Sequence, residues 1–197
     1  MNDGRYKYNA DGTLIVNDLY AIEILLTEVS SGYGSNEADK ISFDHYKAMF
    51  GMLAMLRTVA QLFDKVSFNT FTQLKIHFLH AHDNSIRHWS MSTPAPGIYT
   101  MTKEQSVNVP ISFSEKDITV LPFICFFKTL AIACEENLSV LKELKQENKT
   151  ILRSKDKKPQ KLCSIINPMI IRLNEGKHTS IVAEHGPMSV LSSPMHD

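Results

Sequence analysis

The sequence predicts an α+β fold: a single compact domain in which an antiparallel sheet packs against two long helices. Two stretches, Ser42–Asp64 and Pro122–Lys149, carry apolar residues at helical spacing. Shorter stretches with strand character lie around the first of these helices. Because strands and helices do not alternate regularly along the chain, the order of elements argues against a doubly wound parallel sheet.

The chain is electrically neutral overall, with 21 basic and 21 acidic residues among 197, and 43% of its residues are hydrophobic. This composition excludes a disordered chain, which has few apolar residues and a high net charge. It also excludes a uniformly basic protein that coats nucleic acid, since no global positive field exists to hold phosphates. We expect one domain over residues 1–185 and a mobile tail over residues 186–197.

The first elements follow from local turn chemistry. Asp11-Gly12 is a hairpin dipeptide, because both residues tolerate positive φ, and it joins Arg5–Tyr8 to a strand at Thr13–Val16. Leu19–Val29 is ambiguous: its β-branched residues favour a strand, whereas its apolar spacing and flanking residues also fit a helix.

The first long helix is predicted to begin at Ser42 as its N-cap and to be apolar around most of its circumference, which is typical of a core helix. Phe68–His82 then predicts a strand, since its side chains alternate between two faces. Ser90–Val109 contains two prolines and a glycine, which indicate either a long surface loop or loosely paired strands.

The second long helix is predicted from Pro122, where proline suits the first turn, to about Lys149. Its stripe of apolar residues is either a core-facing stripe or a surface for another copy. Asn137 occupies a position where polar residues set the register of paired helices. We therefore name Asn137, Leu141 and Leu144 as candidate self-association residues.

A basic connection at residues 149–161 is the one local departure from charge neutrality, with six basic residues against Asp156 alone. It either binds the phosphates of RNA or of an anionic bilayer, or is a solvated loop after a helix C-terminus. Two further strands are predicted after this connection, at Ile165–Leu173 and Thr179–Ala183. The candidate polyanion-binding residues are Lys149, Arg153, Lys155, Lys157, Lys158 and Lys161.

Four histidines lie within twelve residues, and a strand would place His80 and His82 on one face, about 7 Å apart. With a third ligand such as Asp83 or His88 they could hold Zn²⁺, although ordinary strand histidines are the simpler interpretation. Neither a nucleophile-elbow motif nor a phosphate-binding glycine loop is present. We therefore name no catalytic residue, no metal ligand, no cofactor and no small-molecule substrate, and a small metal-dependent enzyme using His80 and His82 stays a third alternative.

The three cysteines, Cys125, Cys134 and Cys163, are an odd number without close pairing, which favours a reducing compartment. Cys125 lies in an apolar run and is expected to be buried. The two most apolar runs contain charged residues and fall short of the uncharged length of a membrane span. We expect a soluble protein, with contact to a membrane surface left open.

The order of elements resembles that of matrix proteins of negative-strand RNA viruses, especially rhabdoviruses. The pieces that carry the resemblance are the strand Gly12–Val16, the helix Phe43–Phe63 and the strand Leu74–Phe78 leading to Trp89, over roughly residues 10–90. The resemblance implies self-association, packaging of the nucleocapsid and binding to the inner membrane face. It also implies a location in the host-cell cytoplasm and the virion interior.

The first interpretation is therefore a non-enzymatic, self-associating structural protein that is matrix-like and bridges nucleocapsid and anionic membrane. The second is an RNA-binding accessory or nucleocapsid-associated protein that uses the basic connection.

Overall fold

The computed structural model describes residues 10–32, 34–35, 37–154 and 161–170. Two short 3₁₀ turns, Asn17–Leu19 and Phe113–Glu115, accompany the regular elements. These elements are, in chain order, β1 Gly12–Val16, β2 Ile22–Val29, α1 Ala38–Leu62, α2 Phe68–Phe71, β3 Ile76–His82, β4 Ser85–Ala95, β5 Ile98–Asn108, α3 Lys116–Arg153 and α4 Leu162–Ile165.

The predicted α+β fold is confirmed, with a five-stranded sheet in the order β1-β2-β3-β4-β5. Three of the four neighbouring pairs are antiparallel, as predicted for the sheet. The pair β2–β3 is parallel, because helix α1 forms the crossover between these two strands.

Helix α1 forms one layer of the fold and is confirmed as a core helix. It begins at Ala38, four residues before the predicted N-cap Ser42, and its side chains at Met52, Leu56 and Val59 are fully buried. Gly51 lets the helix approach β2 closely, since a Cβ atom there would lie 2.8 Å from Leu26 Cδ1. Helix α1 therefore fixes the central strands in place.

The segment Ser90–Val109 forms most of a long hairpin, so the surface-loop alternative is wrong. Strands β4 and β5 have 11 residues each and turn at Gly97, which has a φ of +74°. Thr93 and Met91 are buried. The prolines do not break the pairing because they lie at the far end of β4 and in the turn, where few ladder hydrogen bonds are lost.

Three other predictions are settled by tertiary packing. The ambiguous Leu19–Val29 segment is a strand from Ile22 onward. The strand predicted from Phe68 begins only at Ile76, because Ser67 accepts a hydrogen bond from the Thr70 N–H and caps the short helix α2. The strand predicted from Ile165 is wrong at its start, since this residue ends helix α4.

Several predicted segments fall outside the described residues. These are Arg5–Tyr8, most of the basic connection between Arg153 and Lys161, the second strand at Thr179–Ala183 and the tail over residues 186–197.

Helix α3 covers the sheet face opposite to α1. His80 and His77 point to opposite faces of β3, and His80 stacks on His45 of α1, whereas His77 bonds His88, whose ring contacts Phe126 of α3. The helix starts at Lys116, six residues before the predicted start at Pro122, and the proline lies inside it. The fold therefore has three layers: α1, the sheet and α3.

We expect Leu56→Asp to unfold the domain, because an unpaired charge at this fully buried position costs several kcal/mol against a total stability of roughly 5–15 kcal/mol. Thr58→Asp adds the same charge to the exposed side of α1 and serves as the control. Urea denaturation followed by circular dichroism measures both variants. A cooperative transition at the wild-type midpoint in Leu56→Asp would contradict the buried position of this side chain.

Candidate functional site

Asn137 attaches helix α3 to the start of strand β3. Its Oδ1 accepts a hydrogen bond of 2.9 Å from the Lys75 backbone N–H, and its Nδ2 donates to the Lys75 carbonyl oxygen. Leu141 and Leu144, one and two turns further, are fully buried in the core of the same chain. The prediction that these three residues form a self-association surface is therefore wrong, because their side chains are buried within the chain itself.

The first half of α3 presents a different surface, which we name the outward face. Only Phe126 and Leu130 of this half are buried against the sheet. Large apolar side chains on the remaining circumference are exposed, with 73% of Ile118, 65% of Leu121 and 57% of Ile124 accessible to solvent. Between Ile118 and Cys134 the only charged residue is Lys128. The outward face comprises Ile118, Val120, Leu121, Ile124, Phe127 and Ile132.

The outward face continues into the turn before α3, where Ile111 and Phe113 are 64% and 81% exposed. Eight large apolar side chains are therefore exposed on the first half of this helix and in the turn before it, whereas single scattered apolar residues are what the surface of a typical monomer shows. The prediction that Cys125 is buried is also wrong, since its side chain lies among these exposed residues.

Helix Phe113–Arg153 is the one helix in the described part of the chain that is long and apolar enough to cross a membrane, by length and composition alone. Its most apolar 18-residue window has a mean hydropathy of 1.8, and 11% of that window is buried. The helix is also attached to the sheet, because Gln105 Nε2 donates a 3.0 Å hydrogen bond to the Phe126 carbonyl oxygen. Surrounding it with lipid would break this contact and uncover Leu130.

The described residues of the basic connection are exposed. Lys149 and Arg153 lie on the last turns of α3, and Lys161 precedes helix α4. Lys155, Lys157 and Lys158 lie outside the described residues. Polyanion binding by this connection therefore stays a prediction.

His80 and His82 of β3 share one face as predicted, and each of them is engaged within the protein. The rings of His80 and His82 are 4.7 Å apart between centroids. His80 Nε2 lies 2.6 Å from Ser30 Oγ, and the Arg87 guanidinium donates to the ring of His82. A cation at this position repels a metal ion, so the arrangement is unfavourable for Zn²⁺.

The proposed third metal ligand His88 lies on the opposite face of the sheet. Its Nε2 is 2.9 Å from His77 Nδ1, and both rings are buried beneath α3. Within the described ranges no group of three His, Cys, Asp or Glu side chains is arranged to hold a metal ion.

Burial shifts the protonation of several groups beside α1 and α3. Burial, reinforced by the neighbouring His82, lowers the pKa of His80 to about 3, and burial together with His88 lowers the pKa of His77 to about 4. On β2, burial raises the pKa of Glu28 to about 7 despite the Lys47 ammonium 3.1 Å away. These histidines are therefore neutral near pH 7.

The outward face was missed at the level of sequence, although its signal is present. The run Ile118–Cys134 is apolar on nearly every turn, whereas a helix lying on a sheet can bury only one stripe of its surface. A helix predicted from Pro122 leaves out Ile118 and Leu121, so the prediction does not show that the apolar residues exceed one buried stripe.

Comparison with models of protein families, with curated proteins and with solved structures finds no match to this chain. The assignment of function therefore depends on the geometry of the chain itself.

When the pH is lowered from 7 to 5, we expect the free energy of unfolding to decrease less in His80→Gln than in the wild type. The folded pKa lies below the unfolded value of 6.5, so the unfolded state binds protons first and stability falls as pH decreases from about 6.5 towards the folded pKa. At pH 5 this single group costs the wild type about 2 kcal/mol.

Urea denaturation of both proteins at pH 7 and pH 5 measures this difference. Glu28 acts in the opposite direction, since its raised pKa removes stability as pH rises from about 4.5 towards 7, and it acts equally in both proteins. Equal losses of stability in the two proteins would show that His80 titrates normally.

Proposed function

We propose that this chain is a non-enzymatic structural protein that self-associates through the outward face of α3. The observation that carries the proposal is the exposed apolar surface of this helix on an otherwise well-packed protomer. Monomeric proteins rarely leave such a large contiguous apolar surface in water, because burying it against a partner is favourable by roughly 25 cal/mol per Å².

The size and symmetry of the outward face support a second copy as the partner. A standard interface buries about 800 Å² on each partner, and a face with eight exposed large apolar side chains offers the apolar centre that such an interface needs. A two-fold pair places the same face of α3 on both sides, so that apolar side chains meet apolar side chains. Lys128 lies one turn from Ile124 and one turn from Ile132, so its aliphatic stem adds to the apolar surface and extends its ammonium towards the rim of such an interface.

A matrix-like role bridging nucleocapsid and anionic membrane extends this proposal to the basic connection. Lys149, Arg153 and Lys161 are exposed, so they are free to contact phosphates while the outward face holds another copy. The hydrogen-bonded positions of His80 and His82 also support a structural role over a metal-dependent enzyme.

We expect the wild-type protein to sediment as a dimer or larger species that dissociates on dilution, and Leu121→Glu/Ile124→Glu to sediment as a monomer. Two carboxylates buried in an apolar interface cost several kcal/mol, so the dissociation constant should rise by a factor of 100 or more. Sedimentation velocity over a hundredfold range of concentration measures the change, and circular dichroism checks that the variant is folded.

Ser139→Glu/Thr150→Glu is the matched control, because it adds the same two charges to exposed positions in the second half of α3. This control should associate like the wild type. A wild-type protein that stays monomeric at high concentration, or a Leu121→Glu/Ile124→Glu variant that still associates, would overturn the proposal.

We expect Lys157→Glu/Lys158→Glu/Lys161→Glu to lose affinity for polyanions at least tenfold, because it reverses three positive charges in the basic connection. Filter binding with single-stranded RNA and co-sedimentation with phosphatidylserine vesicles, each at low and high salt, measure the loss. Binding to RNA alone would favour the second interpretation, an RNA-binding accessory protein.

The control for this experiment reverses Lys40, Lys103 and Lys116, which are exposed on other elements. If both triple variants lose binding equally, the effect reports net charge and the basic connection has no specific role. A wild type that binds neither RNA nor vesicles at low salt would remove the matrix-like extension.

A further inference from the structure

A groove of about 790 Å³ lies between strand β1 and the second half of helix α3, away from the outward face. The volume is within the range of roughly 300–1,000 Å³ that small-molecule sites occupy. Its apolar lining comes from β1, the 3₁₀ turn that follows β1, β2 and α3, and exposed side chains of β1 form one wall. This lining consists of Leu14, Ile15, Val16, Leu19, Ile24, Cys134 and Leu138.

One end of the groove is basic. Lys142, Lys145 and Lys149 follow at helical spacings of three and four residues, so they lie on the same side of α3. Lys145 is held in position, because its ammonium donates to the Asp18 carbonyl oxygen at 3.4 Å and lies 5.4 Å from the centre of the Tyr20 ring. These ammonium groups form a cluster suited to one anionic head group.

The two acidic residues of the lining do not cancel this cluster. Glu135 lies at the opposite end of the groove, beside Cys134 and about 21 Å along the helix from Lys149. Asp18 is exposed at the rim, and its backbone carbonyl already faces Lys145. The charge therefore changes sign along the groove, which orients a ligand with its anionic head towards the lysines.

We propose that this groove binds one long-chain anionic amphiphile of the fatty-acid class, taken up as a monomer. The carboxylate contacts the three lysines, and the acyl chain lies along Leu138, Leu14 and Val16. From Cys134 to Lys145, the middle one of the three lysines, the helix advances about 16 Å, which matches an extended acyl chain of roughly a dozen carbons. The inference goes beyond self-association and does not depend on it.

An acyl chain fits this lining better than a peptide does. A peptide brings N–H and C=O groups along its whole length, and each of them costs free energy when it is buried without a partner. On α3 the apolar Cys134 and Leu138 precede the lysines along the helix, and on β1 the apolar side chains are Leu14, Ile15 and Val16. An amphiphile needs polar contacts only at its head.

Two cysteines on α3 provide a reporter and its control. Cys134 lines the groove, and burial raises the pKa of its thiol. Cys125 is exposed nine residues earlier, which is two and a half turns and therefore the opposite side of the helix, within the outward face. We expect palmitate below its aggregation concentration to slow alkylation of Cys134 by N-ethylmaleimide tenfold or more, with the rate at Cys125 unchanged.

Peptide mapping by mass spectrometry at several palmitate concentrations gives both rates in one reaction. Lys142→Gln/Lys145→Gln/Lys149→Gln should weaken the protection of Cys134 at least tenfold. The matched control, Lys40→Gln/Lys103→Gln/Lys116→Gln, removes three exposed lysines from outside the groove and should leave the protection intact. Hexadecanol, which has the same chain without a charge, should protect at least tenfold more weakly than palmitate.

Three results would overturn the proposal. The first is a Cys134 rate that palmitate does not change. The second is equal protection of Cys125, which would mean that the amphiphile covers the outward face. The third is protection by phosphatidylglycerol vesicles without protection by monomeric palmitate, which would assign the lysines to a membrane surface.

Discussion

The side-chain amide of Asn137 determines how this chain divides into buried and exposed parts. It satisfies both the N–H and the C=O of Lys75, the residue before β3, and these groups would otherwise lie unpaired beneath a helix. This double hydrogen bond fixes the rotation of α3 about its axis. Leu141 and Leu144 consequently turn into the core, and the apolar residues of the first half that do not meet the sheet turn outward.

Helix α3 therefore has three surfaces with different chemistry. One stripe, with Phe126 and Leu130, covers the sheet. The outward face is apolar and supports association of copies, and the side towards β1 combines an apolar groove with lysines. The outward face lies mainly on the first half of the helix and the groove on its second half.

The sheet carries buried titratable groups on both faces, and their opposing pKa shifts restrict the pH range of stability. Neutral His77 and His80 favour pH values above about 6.5, whereas Glu28, buried beside Lys47, favours lower values. Hydrogen bonds make His80 and His82 unfavourable ligands for a metal ion, because Ser30 Oγ contacts the His80 ring and the Arg87 guanidinium contacts the His82 ring.

The sequence by itself determined the fold class, helix α1, the β3 strand and the presence of a second long helix, because periodic apolar residues within one segment reveal its secondary structure. It could not determine the parallel β2–β3 pair, the long β4–β5 hairpin or the role of Asn137, which depend on residues up to 62 positions apart in the chain. An apolar stripe in the sequence indicates that one face of a helix is buried. Only the tertiary structure shows whether the core of the same chain or another molecule buries it. Leu141 and Leu144 are buried in the core of the same chain. The outward face and the groove depend on how α3 packs on the sheet, because this packing decides which of its side chains stay exposed.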